Sequence, residues 1–438
     1  MKTPTNRRNF LKKSALALAG AGLLGKDVLG SEHKSSSESE ASIKEYRRLG
    51  RTNFMASDIG CGTTTIQNEN FLRAILQRGV NYLDSAYTYQ KGNNERMIGR
   101  VIKGMERESV FITTKNYVKA NMSCDDIISM VKGANERLDA GYIDCFQMHC
   151  PVTAKEVRNP AFIKAMEKLK KDRIIRYCGL SCHGQSWWNK SESMQVIFDA
   201  AIDEGIYDLF LLVYNYVQRD MAEHILKRAG ENDIATTLMK TDPFGGCYAI
   251  YKKIIDKHLN DGKKMAEWMK ILDDKFSQKH EKAFQFLGKY GLDGDSETRD
   301  AAIRFVLNNP GVHSVMITFQ NYGDIDNYLN LSGKRFTYKE QAKLGEAEKL
   351  MGPFYCRHAC GICEPSCPHH VPVNTIMRYN HYFTAQRREK EAMVQYNTLN
   401  TAKADLCADC PAPCEAACPF GVKIHDLLQV AHENLSLA

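Results

Sequence analysis

From about Tyr46 onward, short apolar runs alternate with amphipathic stretches. The runs at 80–83, 110–113, 143–148, 175–180, 209–214, 235–239 and 314–317 are apolar almost throughout, as strands covered on both faces are. Between them, residues 68–78, 95–104, 125–139, 160–171 and 191–204 space their apolar positions three and four apart, which predicts helices. Strand and helix in regular alternation over this length predict a closed, parallel (β/α)8 TIM barrel, of class α/β. A doubly wound open sheet is the alternative. The lack of a Gly-x-Gly-x-x-Gly turn after the first strands counts against it.

A barrel of this kind keeps its chemistry where strands end, on the C-terminal rim. Asp84 closes one predicted strand, Lys115 the next and His149 the one after, with Tyr89 five positions beyond Asp84. Together they suit carbonyl reduction or its reverse. A tyrosine hydroxyl donates a proton to the developing alkoxide, and a nearby Lys115 ammonium is expected to lower the phenol's pKa from its ordinary value of about 10. Asp84 would hold that lysine charged, and His149 would hydrogen-bond the carbonyl oxygen. Each residue alone has a plainer reading as a helix cap or a satisfied core group. Their joint placement favours the catalytic one.

The segments Tyr46-Arg47-Arg48-Leu49-Gly50-Arg51-Thr52, Asp84-Ser85-Ala86-Tyr87-Thr88-Tyr89, Gly92-Asn93-Asn94-Glu95, Thr114-Lys115 and Ile143-Asp144 through His149 resemble the aldo-keto reductase family. The resemblance implies Asp84, Tyr89, Lys115 and His149 as the catalytic tetrad, a nicotinamide cofactor and a small carbonyl or sugar substrate. It also implies cofactor contacts from Ser181, Cys182, Tyr214 and Asn215. Cys182 stands where the family has asparagine or an aromatic residue, and Leu211 where it has glutamine. No basic residue follows Ser314 in the stretch that ends Met-Ile-Thr-Phe-Gln-Asn, so charge-assisted binding of a 2′-phosphate lacks its partner. NAD, or a tightly held nucleotide, is therefore expected at least as much as NADP. Residues 244–291 form a long connection, read as a helix packed on the barrel or as a lid over its rim.

Eight of the fifteen cysteines lie near the end, as Cys356, Cys360, Cys363, Cys367 and Cys407, Cys410, Cys414, Cys418, each set closing in Cys-Pro. Such spacing supplies the thiolates of two [4Fe–4S] clusters. In two-cluster ferredoxins the fourth cysteine crosses over, so two assignments stay open: each set holds its own cube, or Cys367 serves the second cube and Cys418 the first. Structural zinc and a disulfide framework are the rival readings. The other seven cysteines, Cys61, Cys124, Cys145, Cys150, Cys178, Cys182 and Cys247, lack metal spacing and read as small apolar residues.

The N-terminus, Asn6-Arg7-Arg8-Asn9-Phe10-Leu11-Lys12 followed by a weakly apolar stretch and a serine-rich run, resembles a twin-arginine export signal. It implies the periplasm or another extracytoplasmic site, reached through the twin-arginine machinery, with a retained N-terminal anchor left open. Clusters assembled on reduced thiols would have to cross already folded. The expected organisation is a signal and linker at 1–42, the barrel at 43–351 and a helical, ferredoxin-like iron–sulfur domain at 352–438. A redox partner protein or quinone-linked acceptor would follow from the clusters. The net charge of +7 in 438 residues is spread along the chain without an arginine-rich stripe, which excludes nucleic acid. Two further readings stay open: a degenerate barrel that binds without turnover, and clusters that are purely structural.

Overall fold

The computed structural model describes residues 40–183, 192–243 and 295–436, apart from 338–339, 343, 346–347, 349–351 and 386–387. Ala41–Ala438 is one compact unit. The twin-arginine-like segment and the connection at 244–291 lie outside the described residues.

A hairpin of β1 (Tyr46–Arg48) and β2 (Met55–Ser57) opens the described chain. Eight strands then close a parallel barrel: β3 (Ile59–Gly62), β4 (Tyr82–Asp84), β5 (Phe111–Asn116), β6 (Ile143–His149), β7 (Ile175–Cys182), β8 (Leu209–Val213), β9 (Ala235–Met239) and β10 (Ser314–Ile317). β10 pairs with both β3 and β9, which removes the open-sheet alternative. Seven of these strands sit on the predicted apolar runs. β3 was not among them, because its Ile-Gly-Cys-Gly sequence has little strand character. Glycine there leaves room for the end of the Met316 side chain, which a Cβ at Gly60 would displace across the closing seam.

The helices end where their sequences stop them. Helix Cys124–Leu138 begins in a capping box between Ser123 and Asp126, and helix Pro160–Lys171 opens with Asn159 as cap and proline in its first turn. The hairpin seals the barrel floor, where Leu49 and Ala56 pack with Tyr82, Phe111, Cys145, Leu209 and Ala235. Gly50 sits there at φ +50°, and a Cβ would lie 2.5 Å from the Ala235 nitrogen, so that turn admits only glycine.

With the floor plugged, the accessible end is the rim, and the tail docks on it. Helices Val373–Ala385, Glu389–Asn397 and Ile424–Leu435 share their own apolar cluster, built on Val373, Ile376, Tyr379, Tyr396, Leu427 and Leu428. The segment before them is bonded to the barrel. Gln218 donates to the His358 carbonyl at 2.7 Å and accepts from its N–H at 2.8 Å, Asn215 donates to the Tyr355 hydroxyl at 3.1 Å, and the Met194 N–H donates to the Ala359 carbonyl at 2.9 Å.

Candidate active site

Asp84, Lys115 and His149 end β4, β5 and β6, three neighbouring strands, and all three are buried. Lys115 Nζ donates to Asp84 Oδ2 at 2.6 Å and to the Ser85 carbonyl at 2.8 Å, while Thr113 Oγ1 donates to the other Asp84 oxygen at 2.9 Å. Tyr89 follows on the loop, with Lys115 Nζ 5.2 Å from its ring centroid. Gln90 and Lys91, directly after it, both have positive φ. That strained turn is held from below by Asn94, which accepts from Thr63 Oγ1 at 2.5 Å and from Ser85 Oγ at 2.7 Å. The Gly-Asn-Asn-Glu segment thus shapes the site without entering it; its Glu95 pairs with Arg137 at 2.5 Å beneath the strands.

The expectation that Lys115 acidifies Tyr89 is corrected. The phenol is pushed above its ordinary value, first by burial and then by the Asp84 charge; Arg388 of the tail, not Lys115, is the cation that opposes the rise. Lys115 is spent on Asp84. Tyr89 is therefore held protonated, the form a proton donor needs. Burial, followed by the Lys115 charge, holds His149 neutral. Its ring stacks on Tyr117 at 4.5 Å, and its Nδ1 is buried with no partner among the described residues.

Of the four residues expected at a nicotinamide, Ser181 lies directly across from His149 in the β6–β7 register, and its buried hydroxyl has no partner among the described residues. That orphan suits a carboxamide. Cys182 instead directs its thiol to the Pro151 carbonyl at 3.7 Å. Tyr214 turns its hydroxyl to Glu223 at 3.0 Å, and Asn215 is engaged with Tyr355, the Lys240 carbonyl and the N–H groups of Val217 and Gln218. Leu211 is buried and apolar, which leaves Ser181 as the one of the four that presents an unpartnered polar group among the described residues.

Several groups at the rim escaped sequence reasoning. Gln147, two residues before His149 and so on the same face of β6, is buried with neither amide atom partnered among the described residues. Lys240 follows β9 directly, a position the rim rule could have flagged. His149, Cys150 and His183 bring one donor atom each within 4.8 Å of one another. As a trio they resemble a metal site, yet Lys115, Lys240 and Arg378 surround them, which disfavours a further cation. Arg378 comes from the tail, and no local pattern marks it.

The tail's eight cysteines are all free thiols, which removes the disulfide reading. The fold sorts them across the sequence motifs. Cys356, Cys360, Cys363 and Cys418 line one small cavity of about 20 Å³ together with Pro419 and Phe420. Cys367 instead perturbs Cys407 and Cys414, in company with Cys410. Burial is the main cause in pushing Cys363 and Cys407 up to about 12, a cost that binding a cationic metal centre would relieve. Amide donors reach the sulfurs, from Asn374 to Cys356 and from the Val371 N–H to Cys367, both at 3.4 Å. No three tail sulfurs fall within 4.8 Å of one another among the described residues, whereas zinc at about 2.3 Å from each sulfur would draw four much closer. The residues fit two cubes better than two single ions.

A (β/α)8 barrel with this rim defines a class, that of barrel oxidoreductases. Residues 58–349 match the model of the aldo/keto reductase family, and the chain belongs to that family, one of NAD(P)-dependent oxidoreductases. It is 24% identical over 323 residues to aldo-keto reductase YhdN of Bacillus subtilis, covering 68% of this chain and 91% of that protein. It is 29% identical to the uncharacterized oxidoreductase YqkF of Bacillus subtilis and to methylglyoxal reductase DkgB of Escherichia coli O157:H7. There it spans only about half the relative, 48% and 46%. Among solved structures, aldo-keto reductase AKR11C1 from Bacillus halodurans, in its holo form, superposes with a TM-score of 0.50 at 20% identity. That match covers 69% of this chain and 95% of that one, and it shows the shared fold.

Proposed function

We propose that the protein is an exported oxidoreductase that interconverts a carbonyl compound and its alcohol with a nicotinamide cofactor, and that its tail holds two [4Fe–4S] clusters as an electron relay. A bound nicotinamide supplies or accepts the hydride, and the clusters carry electrons one at a time. Tyr89 gives the carbonyl oxygen its proton, and His149 orients that oxygen. Lys115, locked to Asp84, packs over the Tyr89 ring and fixes its place, while the Arg388 guanidinium is the positive charge that would favour the phenolate left after donation. Ser181 would hold the cofactor's amide. One cube would be ligated by Cys356, Cys360, Cys363 and Cys418, the other by Cys367, Cys407, Cys410 and Cys414.

The observation that carries the relay is the placement of residues 355–359. This one segment supplies the first ligand, Cys356, and clamps His358 to Gln218 of the barrel. Export is supported by the twin-arginine-like N-terminus and by logic: free nicotinamide is scarce outside the cytoplasm, so a bound one must be regenerated in place. The acceptor would be a redox protein or a quinone-linked carrier.

Anaerobic isolation of the full chain tests this. Expected are a broad visible absorption bleached by dithionite, iron and acid-labile sulfide in equal amounts, a tightly bound nucleotide, and bleaching by substrate without added dye. Zinc in place of iron, or no affinity for any dinucleotide, overturns it. The apolar Leu211 and the structural engagement of Asn215 favour a second reading, a barrel that binds without turnover. A Tyr89→Phe variant with unchanged redox behaviour would decide for it.

A further inference from the structure

The segment that carries the first tail cysteine also carries a cation, Arg357, which neither the barrel chemistry nor the ligand sets use. Arg357 lines the same small cavity as Cys356, Cys360, Cys363 and Cys418. Its guanidinium carbon lies over the Phe420 ring, 3.6 Å from the centroid, and Phe420 lines that cavity too. Its Nη1 is buried with no partner among the described residues. An unsatisfied N–H on a buried charged group is costly, and one at the wall of a ligand cavity asks for an acceptor inside it.

The backbone around this arginine is fixed from both sides. Asn374 Nδ2 donates to the Arg357 carbonyl at 2.6 Å and to Cys356 Sγ at 3.4 Å. The next residue, His358, is bonded to Gln218 through both its carbonyl and its N–H. A guanidinium is planar and its N–H bonds lie in that plane, so packing one face on Phe420 leaves the edge able to donate. The thiolates and inorganic sulfide of a [4Fe–4S] cube are suitable acceptors, and hydrogen bonds to sulfur together with net charge set the potential of such a cube. On this side Arg357 and the carboxylate Glu364 act on the Cys360 thiol with opposite signs. At the other group it is a carboxylate, Asp405, that acts on Cys407.

We propose that Arg357 tunes the cube held by Cys356, Cys360, Cys363 and Cys418, donating a hydrogen bond to its sulfur and raising its reduction potential. This rests on the iron–sulfur reading above and gives one residue a task within it. The reduced state carries one more negative charge than the oxidised state, so a cation beside it favours reduction. Losing that cation makes the centre harder to reduce.

Redox titration of the anaerobically isolated full chain, followed by electron paramagnetic resonance, tests this, with iron and acid-labile sulfide measured on every sample. In Arg357→Met the centre that Cys356→Ser disturbs should become harder to reduce by about tenfold or more, which is about 59 mV for one electron, while the other stays within about threefold. Arg357→Lys, which keeps the charge and loses the planar fork, should fall between the parent and Arg357→Met. Glu364→Gln should shift the same centre the opposite way. Full iron and sulfide in Arg357→Met with neither potential moved, or both moved equally, overturns the proposal and leaves the clusters standing. Zinc in place of iron in the parent sinks the iron–sulfur reading itself. Should Arg357→Met fail to take up iron, the parent decides without a variant. With arginine alone carrying a heavier nitrogen isotope, its reduced centre should show hyperfine coupling to that isotope in electron spin echo spectra, and a missing coupling refutes the bond.

Discussion

The Asp84–Lys115 pair is 2.6 Å long with both partners almost fully buried, so replacing Asp84 by asparagine should expose what a lone ammonium costs there. The amide still accepts from Thr113, so shape is conserved and charge alone is lost. Two outcomes are open to the lysine. It stays charged against only the Ser85 carbonyl, for which breaking a buried pair costs about 3–5 kcal/mol. Or it sheds its proton, which for a lysine of ordinary basicity costs about 4.6 kcal/mol at pH 7, from 1.36 kcal/mol per unit over about 3.4 units. The second route caps the first, so a loss of about 3–5 kcal/mol is expected. Lys115→Met strands the carboxylate at a similar cap, about 4 kcal/mol by the same arithmetic from the ordinary aspartate value. The double variant carries no buried charge and should lose much less than the sum of the two singles. Denaturant unfolding of the four proteins, loaded with their cofactors, measures the cycle. A coupling under about 1 kcal/mol would show that the pair is solvated and does not lock Lys115 in place.

The remaining expectations are narrower. Because Tyr89 is held above its ordinary range, the carbonyl-reduction rate should show no loss of a phenolic proton up to about pH 10; a limb near 8 that vanishes in Tyr89→Phe would contradict this. Burial, aided by Arg388 and Arg378, pulls Lys240 down to about 7. Between there and the ordinary value of about 10.4 the unfolded chain then holds the extra proton, so this group's contribution to stability rises with pH. Unfolding followed from pH 6 to 10 should find Lys240→Met ahead of the parent at the acid end, with the gap closing upward, while Arg378, Arg388, His183, His358 and His381 face both proteins alike. Cys418→Ser should disturb the centre that contains Cys356 and spare the one that contains Cys407, read by electron paramagnetic resonance; the opposite pattern refutes the crossed ligand sets. Gly50→Ala should destabilise by more than about 2 kcal/mol, since both its φ and the backbone of Ala235 oppose a side chain.

Much of the barrel was legible because parallel strands write themselves as uninterrupted apolar runs, as in Phe210, Leu211 and Leu212 of β8. The tetrad positions followed from strand ends. β3 was illegible because its two glycines serve packing against β10 and carry no hydrophobic signal. The division of labour around Tyr89 was misjudged for a physical reason: adjacency in a motif does not say which partner claims a charge, and Asp84 claims Lys115 at 2.6 Å. Arg378 could not be read at all. Its helix looks like any amphipathic helix, and its role depends on which face the tail turns to the rim.

That docking makes the two cysteine groups unequal. The Cys356 group hangs on the segment bonded to Asn215, Gln218 and Met194, while Cys407, Cys410 and Cys414 belong to the stretch after helix Glu389–Asn397. The Cys414 charge helps to raise the Cys363 thiol, after burial and Glu364, so the two groups are neighbours. The Cys356 group shares its backbone with His358, whose carbonyl and N–H are both bonded to Gln218, so that group is tied directly to the barrel. Arg378 meets the barrel at the His183 carbonyl and the Cys356 segment meets it at Gln218, so helix and cysteine segment are anchored on the same rim.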